Sequence, residues 1–216
     1  MKSLSVFREN RFLFLLISMI LMLLMHPVLT VTGMYFARVF LKIFVSLVFL
    51  SAVYAVSQTR RMLLIGIALM LPSFSMQWAQ YFKNSYIVTV TSDLLFLVFL
   101  TYITAAIVNH VLKIDDVTFE QVCGTLCVYM LMGLIWADAY SLINSVFGDQ
   151  FSGKAMAFAD FIYFSFVTLT TVGYGDISPV GAVARSFAVV EAIVGQFFLA
   201  VLVARQVGLY ISQSDR

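Results

Sequence analysis

One pattern limits this 216-residue chain more than any other. Six stretches of mostly apolar residues recur at roughly 12–31, 36–57, 62–82, 86–109, 119–146 and 181–206. About 20 such residues, when helical, match the thickness of a bilayer core. Within that core only helices and closed barrels satisfy their own backbone groups. The predicted fold is therefore an all-α integral membrane protein with six transmembrane helices. Gly33, Arg60-Arg61, Lys83-Asn84 and Lys113-Ile114-Asp115-Asp116 punctuate the runs. Charged residues make up only 11% of the chain, against about 25% in soluble domains. No basic patch suited to nucleic acid appears. No nucleophile triad, metal cluster or phosphate-binding loop is present either, so neither an enzyme nor a bound cofactor is expected. Lys2, Arg8 and Arg11 before an apolar run resemble a secretory leader, but Phe12–Val31 exceeds the usual h-region length. A retained first helix is predicted.

One apolar segment, about 157–170, is too short to span. Asp160 lies in its first turn, as suits a helix N-terminus. It runs into Thr171-Val172-Gly173-Tyr174-Gly175-Asp176. Irregular backbone at membrane depth survives only when buried in protein or lining a water-filled path, so a re-entrant helix and loop are predicted. Gly173 and Gly175 can take positive φ without a Cβ clash. That alternation would turn the carbonyls of Thr171, Val172, Gly173 and Tyr174 to one side, with the Thr171 hydroxyl as a further oxygen. The negative end of the short helix, near Thr170, would favour a cation below the loop.

This hexapeptide, led by Thr168 and Thr170, resembles the selectivity filter of potassium channels, where carbonyls replace the hydration shell of the ion. Residues 119–206 resemble the pore module of tetrameric potassium channels, and the match continues through Pro179, Arg185 and Gly195. The resemblance implies passive K+ conduction by a homotetramer, because the chain has one filter and a ring takes four. It also implies two regions: a peripheral four-helix domain over 1–112 and a pore domain over 113–216. In the family a glycine at the Gly195 position serves as a hinge of the inner helix. Thr170, Gly175, Asp176, Tyr163 and Phe164 fall at filter-supporting positions. Two departures stand out. The fourth span, 86–109, has no Lys or Arg, so voltage gating, which needs charge moved through the field, is not expected. Phe164 stands where many relatives place a Trp that hydrogen-bonds the filter aspartate, leaving Tyr163 as the available donor. Residues 207–216 leave no room for a regulatory domain after the last span, so a gate would answer to lipid, pH, tension or a separate partner.

Basic residues predict the orientation. Lys2, Arg8, Arg11, Arg60, Arg61, Lys113, Arg205 and Arg216 fall on one side; Arg38, Lys42, Lys83, Lys154 and Arg185 fall on the other. Both termini are thus expected in the cytoplasm, in a bacterial-type inner membrane. Ionisable groups inside spans are functional candidates. Arg38 and Lys42 share a helix face, and either could pair with Asp93; the alternative is that both snorkel to the interface. Glu191 could tune conduction behind the filter, or contact a Tyr or Ser on a neighbouring helix. Asp138, between Trp136 and Tyr140, reads as interfacial and solvated within an aromatic belt, to which Trp78 and Tyr81 also belong. Pro27 and Pro72 predict kinks, with His26 beside the first. Cys123 and Cys127 read as small buried residues. The rival to a channel is a non-conducting accessory subunit, against which the intact filter argues.

Overall fold

The computed structural model describes residues 11–31, 37–56, 59–82, 85–113, 117–152 and 156–214, without the side chains of 26–31, 37–44, 81, 212 and 214. The described residues form α1 (Arg11–Val31), α2 (Ala37–Val56), α3 (Arg60–Phe82), α4 (Tyr86–Val111), α5 (Phe119–Phe147), α6 (Phe158–Leu169) and α7 (Ala182–Ser214). Among them α3, α4, α5 and α7 are long and apolar enough to cross a membrane.

Helix boundaries follow local chemistry. Thr118 caps α5, its hydroxyl accepting the Gln121 N–H at 3.2 Å, which satisfies one of the orphan donors of the first turn. Gly148 ends that helix with φ +64°, a conformation that costs glycine little. α3 continues through Pro72. There the Ser73 hydroxyl bonds the Leu69 carbonyl at 2.8 Å and lies 2.9 Å from the Leu95 carbonyl of α4. α7 continues past Arg205 to Ser214.

α1 to α4 pack in succession, and both α1 and α4 lie against α5. α5 also carries α6 and α7, so it joins the two parts of the molecule. The core between α2 and α4 is aromatic: Phe49 of α2 stacks on Phe99 and Phe96 of α4 at centroid distances of 4.6 and 5.3 Å. Cys123 and Cys127 are free and buried, as expected of small packing residues, and the Cys127 thiol contacts the Phe12 carbonyl at 3.2 Å.

One end of the bundle is tied by polar contacts. Arg11 of α1 pairs with Glu120 of α5 at 3.0 Å and also reaches His110 of α4 at 3.0 Å. Arg205 of α7 donates to the carbonyls of Val111 and Leu112, both at 3.0 Å.

Candidate functional site

The site is the loop that follows α6. Asp160 reaches back to accept the Ala157 N–H at 2.7 Å, holding the start of α6. At its other end the Val167 carbonyl accepts the N–H groups of Val172 at 3.0 Å and Gly173 at 3.3 Å, and the Thr171 N–H bonds Thr168 at 2.9 Å. The first loop amides are therefore spent on the helix end. Among the described residues no hydrogen bond uses the carbonyls of Thr171, Val172, Gly173 or Tyr174.

Gly173 and Gly175 have φ of +57° and +80°, and Thr171 also has positive φ, at +58°. Every second residue from 171 to 175 is thus left-handed. The glycine positions follow the sequence expectation. Thr171 does not: a β-branched residue at positive φ is a true outlier, holding strain of about 1–3 kcal/mol that the surroundings must sustain. Residues 171–176 are all exposed in the single subunit, with Tyr174 at 72%.

The supports come from three helices. The Tyr163 hydroxyl donates to Asp176 at 2.8 Å, in the place where Phe164 offers no donor. This hydrogen bond holds the Asp176 carboxyl below the usual carboxylate range. Phe164 is buried, packing edge-on against Tyr140 and Phe151 at 5.0 and 5.2 Å. The Thr170 hydroxyl turns back to the Phe166 carbonyl at 2.6 Å. From α5, Tyr129 donates to the Leu169 carbonyl at 3.2 Å. From α7, Gln196 donates to the Thr171 hydroxyl oxygen at 3.3 Å. Gly195 is buried against α6; a Cβ there would lie 2.6 Å from the Leu169 carbonyl oxygen. Its missing side chain is needed for close approach, a role the hinge resemblance did not suggest.

The chain before α6 is stitched to the chain after the loop. Phe151 pairs antiparallel with Pro179. Ser152 N–H bonds the Ser178 carbonyl at 2.8 Å, and Val180 N–H bonds the Gln150 carbonyl at 2.9 Å. Ser178 N–H returns to the Ser152 hydroxyl at 3.0 Å.

Glu191 is fully buried. It lies 2.5 Å from the Tyr140 hydroxyl of α5 and 2.5 Å from the Ser165 hydroxyl of α6. It therefore meets both a Tyr and a Ser, and it does so between α5 and α6. Single hydroxyls within apolar runs carry no spacing signal, so neither partner could be named in advance. Asp138 corrects an expectation. It is 1% exposed rather than solvated, and among the described residues neither carboxyl oxygen has a hydrogen-bond partner. Tyr140 likewise leaves the aromatic belt for the interior. Asp93 is buried and accepts from Ser141 of α5 at 3.2 Å. Arg38 and Lys42 sit on α2, but their side chains lie outside the described residues, as do those of His26, Pro27 and Tyr81.

A family profile described as "Ion channel" matches residues 124–211, which take in most of α5, all of α6, the loop and most of α7. Two-pore potassium channel 4 of Arabidopsis thaliana is 38% identical over 87 residues, 40% of this chain and 31% of that protein. The chain thus spans under a third of that relative's length. Protein LctB of Geobacillus stearothermophilus is 30% identical over 102 residues, 46% of this chain and 75% of LctB. Inward rectifier potassium channel Kirbac3.1 of Paramagnetospirillum magnetotacticum is 33% identical over 73 residues, 34% of this chain and 24% of that protein. No solved structure matches the chain. The stretch matched by the profile is the one that builds and braces the exposed loop, and the chain covers three quarters of LctB at 30% identity; it belongs to the ion channel family, among relatives that include potassium channels.

Proposed function

We propose that four copies of this chain form a potassium-selective pore. Each copy contributes the carbonyls of Thr171, Val172, Gly173 and Tyr174, and the Thr171 hydroxyl, to a stack of oxygen rings. The observation that carries this reading is the alternation of left-handed backbone at Thr171, Gly173 and Gly175. Together with amides already bonded to the end of α6, it leaves a row of free carbonyls able to take the place of water around an ion. Conduction is passive, and K+ is the permeant ion rather than a cofactor.

The tetramer is supported by what a single subunit leaves uncovered. The filter is exposed, and α7 presents Phe187, Ile193, Phe197 and Val201 to the outside, with Phe197 at 68%. Fourfold closed symmetry covers such a face and completes the ring at once. In this reading α1 to α5 and α7 all span the membrane, α6 is re-entrant, residues 1–112 form a peripheral domain and 113–216 the pore. Both termini lie in the cytoplasm beneath an inner membrane. The meeting of the α1 start, α4 end, α5 start and Arg205 at one end of the bundle supports this arrangement. With no Lys or Arg in 86–109, the pore is not voltage-gated. Gly195 and Glu191 belong to the machinery that holds or moves the inner helix. Asp93 pairs with Arg38 or Lys42 in the peripheral domain.

The test is a reversal potential in a planar bilayer with K+ on one side and Na+ on the other. A reversal near the K+ limit, lost in Gly173→Ala, is the expected result. A reversal near zero overturns the selectivity. Absence of current from folded tetramers favours a non-conducting accessory subunit.

A further inference from the structure

The hydroxyl protons around Glu191 are too few for the contacts it would make as a carboxylate. Tyr140 has one hydroxyl proton and lies 2.5 Å from Oε2 of Glu191. Ser165 also has one, yet its oxygen lies 2.5 Å from Oε1 of Glu191 and 2.8 Å from the Gly133 carbonyl oxygen of α5. If Glu191 were a carboxylate, both neighbours of Ser165 would only accept. A single proton would then have to serve two acceptors, leaving one close oxygen pair without a proton between them. No salt bridge compensates a charge on Glu191 among the described residues. An uncompensated carboxylate inside a bilayer is strongly disfavoured.

One added proton removes the conflict. Tyr140 then donates to Oε2, Glu191 donates from Oε1 to Ser165, and Ser165 donates to the Gly133 carbonyl. Every hydrogen has one acceptor, and the chain runs in a single direction.

We propose that Glu191 is a positioning residue of the filter, present as the neutral acid, and that it acts as the middle donor in the relay Tyr140 → Glu191 → Ser165 → Gly133 carbonyl. The relay joins α5, α6 and α7 with one bond each way. It sits one helical turn before the Gly195 contact with Leu169 and the Gln196 contact with Thr171. By fixing α7 against α6, it sets the register at which those next contacts reach the base of the filter. The protonation state is independent of the conducting reading; the consequence for selectivity rests on it.

The full chain in lipid vesicles tests the proposal by infrared difference spectroscopy between wild type and Glu191→Gln. The expected spectrum loses one carboxylic-acid carbonyl band and no carboxylate band. Loss of a carboxylate pair instead overturns the assignment. Should Glu191→Gln fail to assemble, Ser165→Ala gives the same decision. A neutral Glu191 that loses its acceptor shifts its acid band, whereas an ionised one produces no change in the acid region. In bilayers, Gln can still donate to Ser165 and accept from Tyr140, so Glu191→Gln keeps the K+ over Na+ preference. Glu191→Ala lowers that preference about tenfold, the size expected when a buried hydrogen-bond partner is removed. If Gln performs as poorly as Ala, the positioning role fails. An acid band in a protein without current would sink the pore reading and leave the proton assignment standing. Selective current with a carboxylate band would do the reverse.

Discussion

Two buried carboxyl groups, one on α5 and one on α7, are treated in opposite ways. Glu191, facing the pore helix, has a hydroxyl on each oxygen. Asp138, on α5 itself, has a partner on neither among the described residues, although it is just as inaccessible. A satisfied polar group in a low-dielectric interior specifies geometry; an unsatisfied one costs stability. The region around α6 and α7 therefore uses polarity to set positions, and the Asp138 site tolerates it.

That contrast can be broken by substitution. Glu191→Leu takes the acceptor from the Tyr140 hydroxyl and the donor from the Ser165 oxygen, which keeps its bond to the Gly133 carbonyl, and should cost about 2–3 kcal/mol, read as a lower denaturation temperature of the assembled protein. Gly195→Ala should cost about 1–3 kcal/mol through overpacking, because the obstacle is a backbone carbonyl that cannot swing away. Gly66→Ala in α3 is its control, since the nearest atoms there stand at an ordinary 3.7 Å. If both alanines behave alike in a thermal melt, the packing of α7 on α6 is no tighter than that around α3. Asp138→Leu should change stability by no more than about 1 kcal/mol, in the stabilising direction, since it removes a polar group that has no partner. A loss as large as that of Glu191→Leu would mean that Asp138 is bonded after all.

The smallest effect belongs to the exposed pair at the filter mouth. The Tyr163 hydroxyl keeps the Asp176 carboxyl charged to lower pH than usual. A lowered carboxyl favours the folded arrangement above the ordinary carboxylate range, and that contribution fades as pH falls through the lowered value. Tyr163→Phe should therefore raise the pH at which the Asp176 carboxyl takes up its proton, read by infrared titration of its carboxylate band, with a smaller change in melting temperature than the substitutions above. An unmoved titration would separate Tyr163 from the filter aspartate.

Much of this was legible in the sequence. Runs of about twenty apolar residues have no alternative to helices in a bilayer, so every predicted span coincides with a helix to within a few residues at most of its ends. The short helix, expected over 157–170, is Phe158–Leu169. The last helix runs well beyond 206, to Ser214, because the expected end falls at the polar Arg205-Gln206 step, whereas apolar residues resume at Val207 and helical hydrogen bonding continues past them. The left-handed glycines were readable from their missing Cβ. The same conformation at Thr171 was not, since nothing in a β-branched side chain signals it. Asp138 was misread because Trp136 and Tyr140 around it resemble an interfacial belt. The Tyr140 hydroxyl instead finds its partner inside, and an apolar run does not say which face looks inward.

The seam between Phe151–Ser152 and Ser178–Pro179 has a mechanical consequence. These residues follow α5 and precede α7, so the bonds link the end of one long helix to the start of the other. A tug on either helix has a parallel path around the carbonyl row. The seam works as a shunt: load crosses from one long helix to the other through five hydrogen bonds, and the strained Thr171 turn is spared from carrying it.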